Sequence, residues 1–422
     1  MTGSCDAAET RATLEAAWAA LPPALRGPTQ FLGRQYAGCA ATIGAMPRCD
    51  FTCGGCYLGG DANRMRPSSL EELKAQLRVI RAWLGPAGNL QVTDGEVTLR
   101  REEDLVELLR YARRIGLVPM LMTHGETLRR KPGLLESLMC AGGLTELSVH
   151  VDTTMRGRRD RYARAESEAD LDGLRAEFAD LIRTARRKTG RRLEAASTVT
   201  VTSRNLDEVP GVVRWFLRNT DAFKMVSFQP LAAVGRTEPA LGGVTPEALW
   251  DRIAEGAGVA DLRRGEGWLG HPDCSRFVQG VVSRRGAFTP LYRRDRPEEM
   301  DVLRELLDRL GGTSFRLDDA PAAMQRAARI VARHGRFLLT RVLPQAWRVA
   351  CRAGAVRLRY FCIVSHHFMS AREAATHAGR ERLAACAFRV PIDGRLEPMC
   401  AVNALGLREA YYRGTAAAGR TP

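Results

Sequence analysis

From about residue 40 to residue 230, short apolar runs alternate with amphipathic stretches, which predicts strands and helices in turn. The strands fall at 40–46, 89–93, 118–123, 144–151, 195–202 and 224–229. Between them, residues 69–84, 101–115, 132–141, 169–187 and 205–219 carry apolar side chains at i, i+3, i+4 spacing. Ser68 or Ser69, followed by Glu71 and Glu72, supplies an N-cap for the first of these helices. Strict alternation implies right-handed crossovers and a parallel sheet. Six such units suit an α/β fold of the partial (β/α)6 TIM-like barrel type, with function at the C-terminal ends of the strands. A doubly wound open sheet is the competing layout.

The pattern divides the chain into four parts. Residues 1–35 form an N-terminal extension with one helix at 10–20, and 36–232 form the β/α core. Beyond 230 the alternation stops. Gly/Pro-rich segments at 235–244 and 263–275 lead into helical stretches near 297–310 and 320–350, so 233–350 reads as a helical linker. Residues 351–422 are a Cys-rich region of mixed α+β pattern.

Composition narrows the classes. An apolar fraction of 45% with 26% charge over 422 residues excludes wholesale disorder. No run approaches the ~20 apolar residues of a membrane span. The first thirty residues hold Asp6, Glu9 and Glu15 and do not read as a secretory signal, so a cytoplasmic setting is expected. There, clustered cysteines bind metal or do chemistry rather than form a disulfide scaffold. The net charge of +15 comes from 63 basic residues, of which four are Lys (Lys74, Lys131, Lys188, Lys224) and 59 Arg. Such a ratio beside abundant Ala and Gly fits codon bias, and no nucleic-acid partner is expected. The other reading is an anionic partner: a phosphate-bearing substrate, or a peripheral membrane contact at ~1 kcal/mol per basic residue.

The densest chemistry lies in MPRCDFTCGGCYLGG, where Cys49, Cys53 and Cys56 are spaced C-x3-C-x2-C. Three thiolates on one short loop suit three corners of a cubane iron–sulfur cluster, and Gly54 and Gly55 let the backbone wrap closely. A zinc knuckle with Cys39 as fourth ligand is the alternative. Immediately after the second strand comes Asp94-Gly95-Glu96-Val97-Thr98-Leu99.

On these two motifs the chain resembles the radical S-adenosylmethionine (SAM) superfamily over residues 36–232. There the triplet binds a [4Fe-4S] cluster, and a G-G-E-P-T-L loop holds the SAM amino group. Here Asp94 replaces the first Gly and Val97 the Pro, while Glu96 remains to accept from an ammonium. The resemblance also implies SAM contacts for Gly95, for His150 and Asp152 at the end of strand four, and for Asn205, which is equally an N-cap. It implies that SAM chelates the open iron and that an electron from a donor such as ferredoxin or flavodoxin cleaves the C5′–S bond. The resulting 5′-deoxyadenosyl radical abstracts hydrogen from the substrate.

The tail adds His271-Pro272-Asp273-Cys274, Cys362 followed by His366-His367-Phe368-Met369, and CAFRVPIDGRLEPMCAVN, where Asp393-Gly394 reads as a hairpin turn between Cys386 and Cys400. These elements resemble a radical SAM subgroup that includes tetraether lipid synthases and methanogen pterin methylases. The resemblance implies an auxiliary [4Fe-4S] cluster, with Cys274, Cys362, Cys386 and Cys400 as candidate ligands; Cys351 and Cys39 are weaker ones. Cys5 and Cys140 are read as small buried hydrophobes. His366 and His367 are read as donors to a cluster, contacts to a substrate anion, or plain structural groups.

The expectation is a radical SAM enzyme acting on an unactivated C–H bond by methylation, C–C coupling or oxidoreduction, with a lipid or other apolar small molecule as substrate. The alternatives are a peptide-modifying maturase and a non-catalytic iron–sulfur accessory protein. Asp94 and Val97 alone favour the last.

Overall fold

A computed structural model describes residues 7–355 and 357–414, so Cys5 lies outside the described residues. Twelve strands join one sheet: β1 (Cys39–Ala41), β2 (Gly88–Val92), β3 (Leu117–Thr123), β4 (Glu146–His150), β5 (Glu194–Val201), β6 (Phe223–Pro230), β7 (Glu266–Trp268), β8 (Ser275–Ser283), β9 (Phe288–Pro290), β10 (Leu358–His366), β11 (Phe388–Ile392) and β12 (Arg395–Pro398). The first six are parallel and lie in sequence order. A doubly wound sheet needs a reversal of strand order, and there is none within β1–β6. The fold is the α/β partial barrel.

The tail builds outward from both edges. β11 pairs in parallel with β1, and β10 in parallel with β6. β8 runs antiparallel to β10 and carries β7 and β9. Residues 233–350 are therefore not simply a helical linker, because β7, β8 and β9 belong to the same sheet. β1 is shorter than expected because side chains take the backbone that would extend it. Gln76 accepts from Ile43 N (3.0 Å) and donates to its carbonyl (2.8 Å), while Asp94 accepts from Gly44 N.

Helices cover the outward face of the strands. The first, Leu70–Leu84, starts at a capping box in which Ser69 accepts from Glu72 N and Glu72 from Ser69 N. Its Leu73, Leu77 and Ile80 are fully buried, as are Leu105, Leu108 and Leu109 of the helix Glu102–Arg114. The inward face is polar low in the barrel. Buried Glu146 there accepts from Asn89 Nδ2 (3.0 Å) and Arg316 Nε (2.6 Å), and Arg316 is held in the loop after the helix Pro297–Leu310. On β10, Cys362 and Val364 pack with Phe31, Phe277 and Tyr292. The tail hairpin forms as expected: Ile392 faces Arg395, and Asp393 and Gly394 have φ of 48° and 76°. Two successive positive φ values are those of a type I′ turn.

Candidate active site

The loop after β1 holds Cys49, Cys53 and Cys56, all partly exposed and unbridged. Asn63 clamps its start, accepting from Cys49 N (2.9 Å) and donating to Cys49 O (3.1 Å). Gly54 N donates to Thr154 O (2.8 Å), which ties the loop to the segment after β4. A Cβ on Gly55 would lie 2.4 Å from Leu231 Cδ1, so a side chain there would push the tip of Leu231 aside. Burial pushes the Cys49 and Cys53 thiols up to about 12. A metal centre must therefore displace their protons on binding.

The loop after β2 locks onto the cysteine loop. Gly95 N donates to Met46 O (2.7 Å) and Glu96 N to Arg48 O (2.8 Å). A Cβ on Gly95 would lie 2.4 Å from Arg48 O, so the glycine is required by backbone contact. The buried Glu96 carboxylate accepts at Oε1 from Thr98 N (3.0 Å), the Thr98 hydroxyl and Thr123 Oγ1 (2.7 Å). Its Oε2 accepts from His124 N (2.9 Å) and lies 3.3 Å from His124 Nε2, whose shorter contact is to Asp50. Oε1 is saturated and Oε2 keeps accepting capacity.

Asp94, expected to contact SAM, directs its carboxylate elsewhere. It pairs with the Arg408 guanidinium, takes the Tyr412 hydroxyl and accepts from Gly44 N. Arg408 is 2% exposed and stacks over the Tyr57 ring at 4.7 Å. Burial pulls the Asp94 carboxyl up, and the Arg408 charge opposes this. The replacement of Gly by Asp in this loop thus has a partner at the far end of the chain.

His150 lines the same cavity as the cysteines, and its Nε2 meets Asp152 Oδ2 at 2.6 Å and Thr200 Oγ1 at 3.1 Å. Asp152 is fully buried and outside the cavity lining. It accepts from Thr154 N, Thr154 Oγ1 and Thr200 N, so it orients His150 rather than facing a ribose. Desolvation raises its pKa, but the His150 charge and these donors outweigh that and lower it to about 2. Asn205 is likewise withdrawn. Its Oδ1 accepts from Thr202 N (2.7 Å), and its Nδ2 donates to Glu168 Oε1 (2.8 Å) and Thr200 O (3.0 Å). It staples β5 to its following loop, and its side chain caps no helix.

The cavity measures about 210 Å³. Its walls include the inward positions Thr93, Met122, His124, Ser148, Thr198 and Gln229 at the C-terminal ends of five adjacent strands. The tail contributes Phe368, Phe388, Met399 and Asn403. Sequence reasoning missed His124, whose ring stacks on Phe51 at 3.9 Å and whose Nε2 meets Asp50 Oδ1 at 2.8 Å. Cys49, Asp50 and His124 place donor atoms within 4.8 Å of one another. The signal was present: His124 follows Met120 and Met122 at period two, just past β3.

The tail cysteines separate. Cys274, Cys386 and Cys400 gather around Arg382, whose Nε donates to Cys274 Sγ (3.2 Å). Burial raises the Cys400 thiol to about 12, and the nearby Cys386 and Cys274 add to the rise. Met369 N donates to Cys400 Sγ (3.4 Å), and beside the group the Nδ1 of His367 is buried with no partner. Cys362, expected among these ligands, is a core residue on β10 instead. Cys351 and Cys140 are exposed, so Cys140 is not the buried hydrophobe expected. Cys39 sits within the barrel against Asn89 Oδ1 (3.2 Å), away from the triplet, which removes the fourth ligand of the zinc alternative.

A cysteine-rich loop and a glutamate loop at the open end of a partial β/α barrel define the class of site. Residues 43–216 match the Radical SAM superfamily model. Over 200 residues the chain is 25% identical to the 7,8-dihydro-6-hydroxymethylpterin dimethyltransferase of Methanocaldococcus jannaschii, covering 47% of this chain and 37% of that protein. The chain thus spans little more than a third of that relative's length. Among solved structures it is similar to native anSMEcpe with bound AdoMet, at 14% identity and a TM-score of 0.38, covering 53% of this chain and 59% of that one. It is also similar to Streptococcus suis SuiB, at 16% identity and a TM-score of 0.37, covering 51% of this chain and 46% of that one.

Proposed function

We propose that the chain is an enzyme that cleaves SAM reductively at a [4Fe-4S] cluster on Cys49, Cys53 and Cys56 and functionalises an unactivated C–H bond. The observation that carries this reading is convergence: the three thiols, Glu96 and the inward ends of β3–β6 open onto one cavity. The residues fit the group, since three thiols on a loop pressed close by Gly54 and Gly55 leave one iron for SAM. When bound, cluster and SAM together supply the one-electron chemistry and the hydrogen-abstracting power.

The chain's own residues do the rest. Gly95 holds the two loops in register, and Glu96 Oε2 accepts from the SAM ammonium. Asp152 fixes the ring of His150 at the cavity wall. Met122, Met155, Leu231, Phe368, Phe388 and Met399 line the space with apolar surface. Such a lining excludes water from a reactive site and favours an apolar substrate, a lipid or similar small molecule. Cys274, Cys386 and Cys400 hold an auxiliary cluster. Their clustering and the unpartnered His367 Nδ1 support that assignment.

Anaerobic reconstitution with iron and sulfide, followed by dithionite and SAM, tests the proposal. Release of 5′-deoxyadenosine supports it. Failure to release it from a protein that carries its iron would leave the non-catalytic accessory reading.

A further inference from the structure

The described residues 320–353 form one continuous helical stretch: an α-helix Ala320–Phe337, a π-turn Leu338–Val342 and an α-helix Leu343–Ala353. At ~1.5 Å per residue it is about 50 Å long. The first segment buries only Phe337 of its 18 residues. Helices of a globular protein are normally held by an apolar stripe against the core, and this one carries its stripe on the outside. Met324, Val331, Leu339, Leu343 and Trp347 are 69%, 58%, 67%, 60% and 64% exposed. They are half of the large apolar side chains exposed among the described residues.

The spacing is that of one face. The steps are seven, eight, four and four residues, and the step of eight enters the π-turn, whose wider turn absorbs the extra residue. Charge then identifies the occupant. The stretch contains seven Arg and no Asp or Glu. Arg326, Arg341 and Arg352 pair with Asp318, Glu305 and Glu299. Arg329, Arg333, Arg336 and Arg348 are exposed and make no ion pair among the described residues. A second copy of the same face would set Arg against Arg, and a nucleic acid gains nothing from five exposed apolar side chains. An anionic bilayer matches both features at once, since its surface attracts the arginines and its acyl boundary takes the apolar stripe.

We infer that the helical stretch 320–353 lies on anionic lipid membranes and holds this protein at their surface. The inference stands apart from the SAM chemistry, and the two fail in different assays. The test is co-sedimentation of the full chain with sucrose-loaded vesicles of phosphatidylcholine containing phosphatidylglycerol, and with vesicles of phosphatidylcholine alone. The expected result is binding to the anionic vesicles that weakens with salt, with little on the neutral ones. Leu343→Glu/Trp347→Glu should lower the binding roughly tenfold or more, because it removes apolar insertion and adds repulsion. Both side chains are exposed, so the thermal midpoint should stay near that of the parent, and a rescue pair Leu343→Phe/Trp347→Phe should bind like the parent. Equal binding to neutral vesicles, no binding to anionic ones, or undiminished binding by the double Glu variant would overturn the inference. So would a double Glu variant that turns a dimer into a monomer in light scattering, or one that loses RNA binding while keeping lipid binding.

Discussion

Asp94 and Arg408, 314 residues apart in sequence, form a buried ion pair that joins the loop after β2 to the helix Leu407–Tyr412. The pair lies one residue from Gly95 and stacks on Tyr57, next to Cys56, so it holds the cysteine loop and the glutamate loop from behind. Removing one partner of a buried pair leaves an uncompensated charge and costs about 3–5 kcal/mol. Arg408→Met alone should lower the unfolding midpoint by that measure and weaken SAM binding. The double variant Asp94→Gly/Arg408→Met should recover most of the stability, because it removes both charges. A double-mutant cycle by denaturant unfolding checks this, and strict additivity of the two changes would contradict it.

Iron content should separate the cysteines. Cys49→Ala/Cys53→Ala/Cys56→Ala should remove about four irons, one cubane, and Cys386→Ser/Cys400→Ser should remove about four others. Cys362→Ala should keep the full complement and cost only ~1 kcal/mol of packing. Iron and sulfide assays on the three variants decide the matter, and a loss of iron in Cys362→Ala would restore it to the ligand set.

Glu96→Ala withdraws the acceptor from four donors at once: two backbone N–H groups and two hydroxyls. Leaving such groups unpaired costs ~1–3 kcal/mol each where water cannot reach them. The variant should melt earlier, bind SAM roughly ten- to a hundredfold more weakly, and retain its iron. Calorimetric titration with SAM on the reconstituted protein measures the second effect.

Burial lowers His366 from 6.5 to about 4. As pH falls, the unfolded chain binds the proton first, so the neutral ring's contribution is complete above pH 6.5 and is lost progressively down to about 4. The parent's denaturant midpoint should fall across that window. His366→Phe should flatten the fall, and an unchanged slope would show that other groups carry the pH dependence.

The β/α core was legible because each of its strands is a compact apolar run bounded by an amphipathic helix. β7 to β9 were not, since β8 (Ser275–Ser283) alternates only weakly and its neighbours are three residues long. The cysteine triplet was readable from spacing because ligand loops are local. Asp152 and Asn205 misled because a polar residue at a strand end looks alike whether it faces a cavity or the backbone beside it. Arg408 could not be singled out: it is one of 59 arginines, and only the folded tail brings it to Asp94.

β11 lies against β1 and β10 against β6, so the last strands of the chain border the first and the sixth. During synthesis the six-strand core emerges with both of its edges bare. The strands that cover them arrive more than a hundred residues later, and the Arg408 contact later still. Until then the cysteine loop lacks Phe368, Phe388 and Met399 as a wall, and its thiols stand open to whatever delivers iron and sulfide. Covering of the two core edges by the tail is then the later step of assembly. A chain truncated after residue 355 should therefore accept the first cluster yet fail to shield it from oxygen.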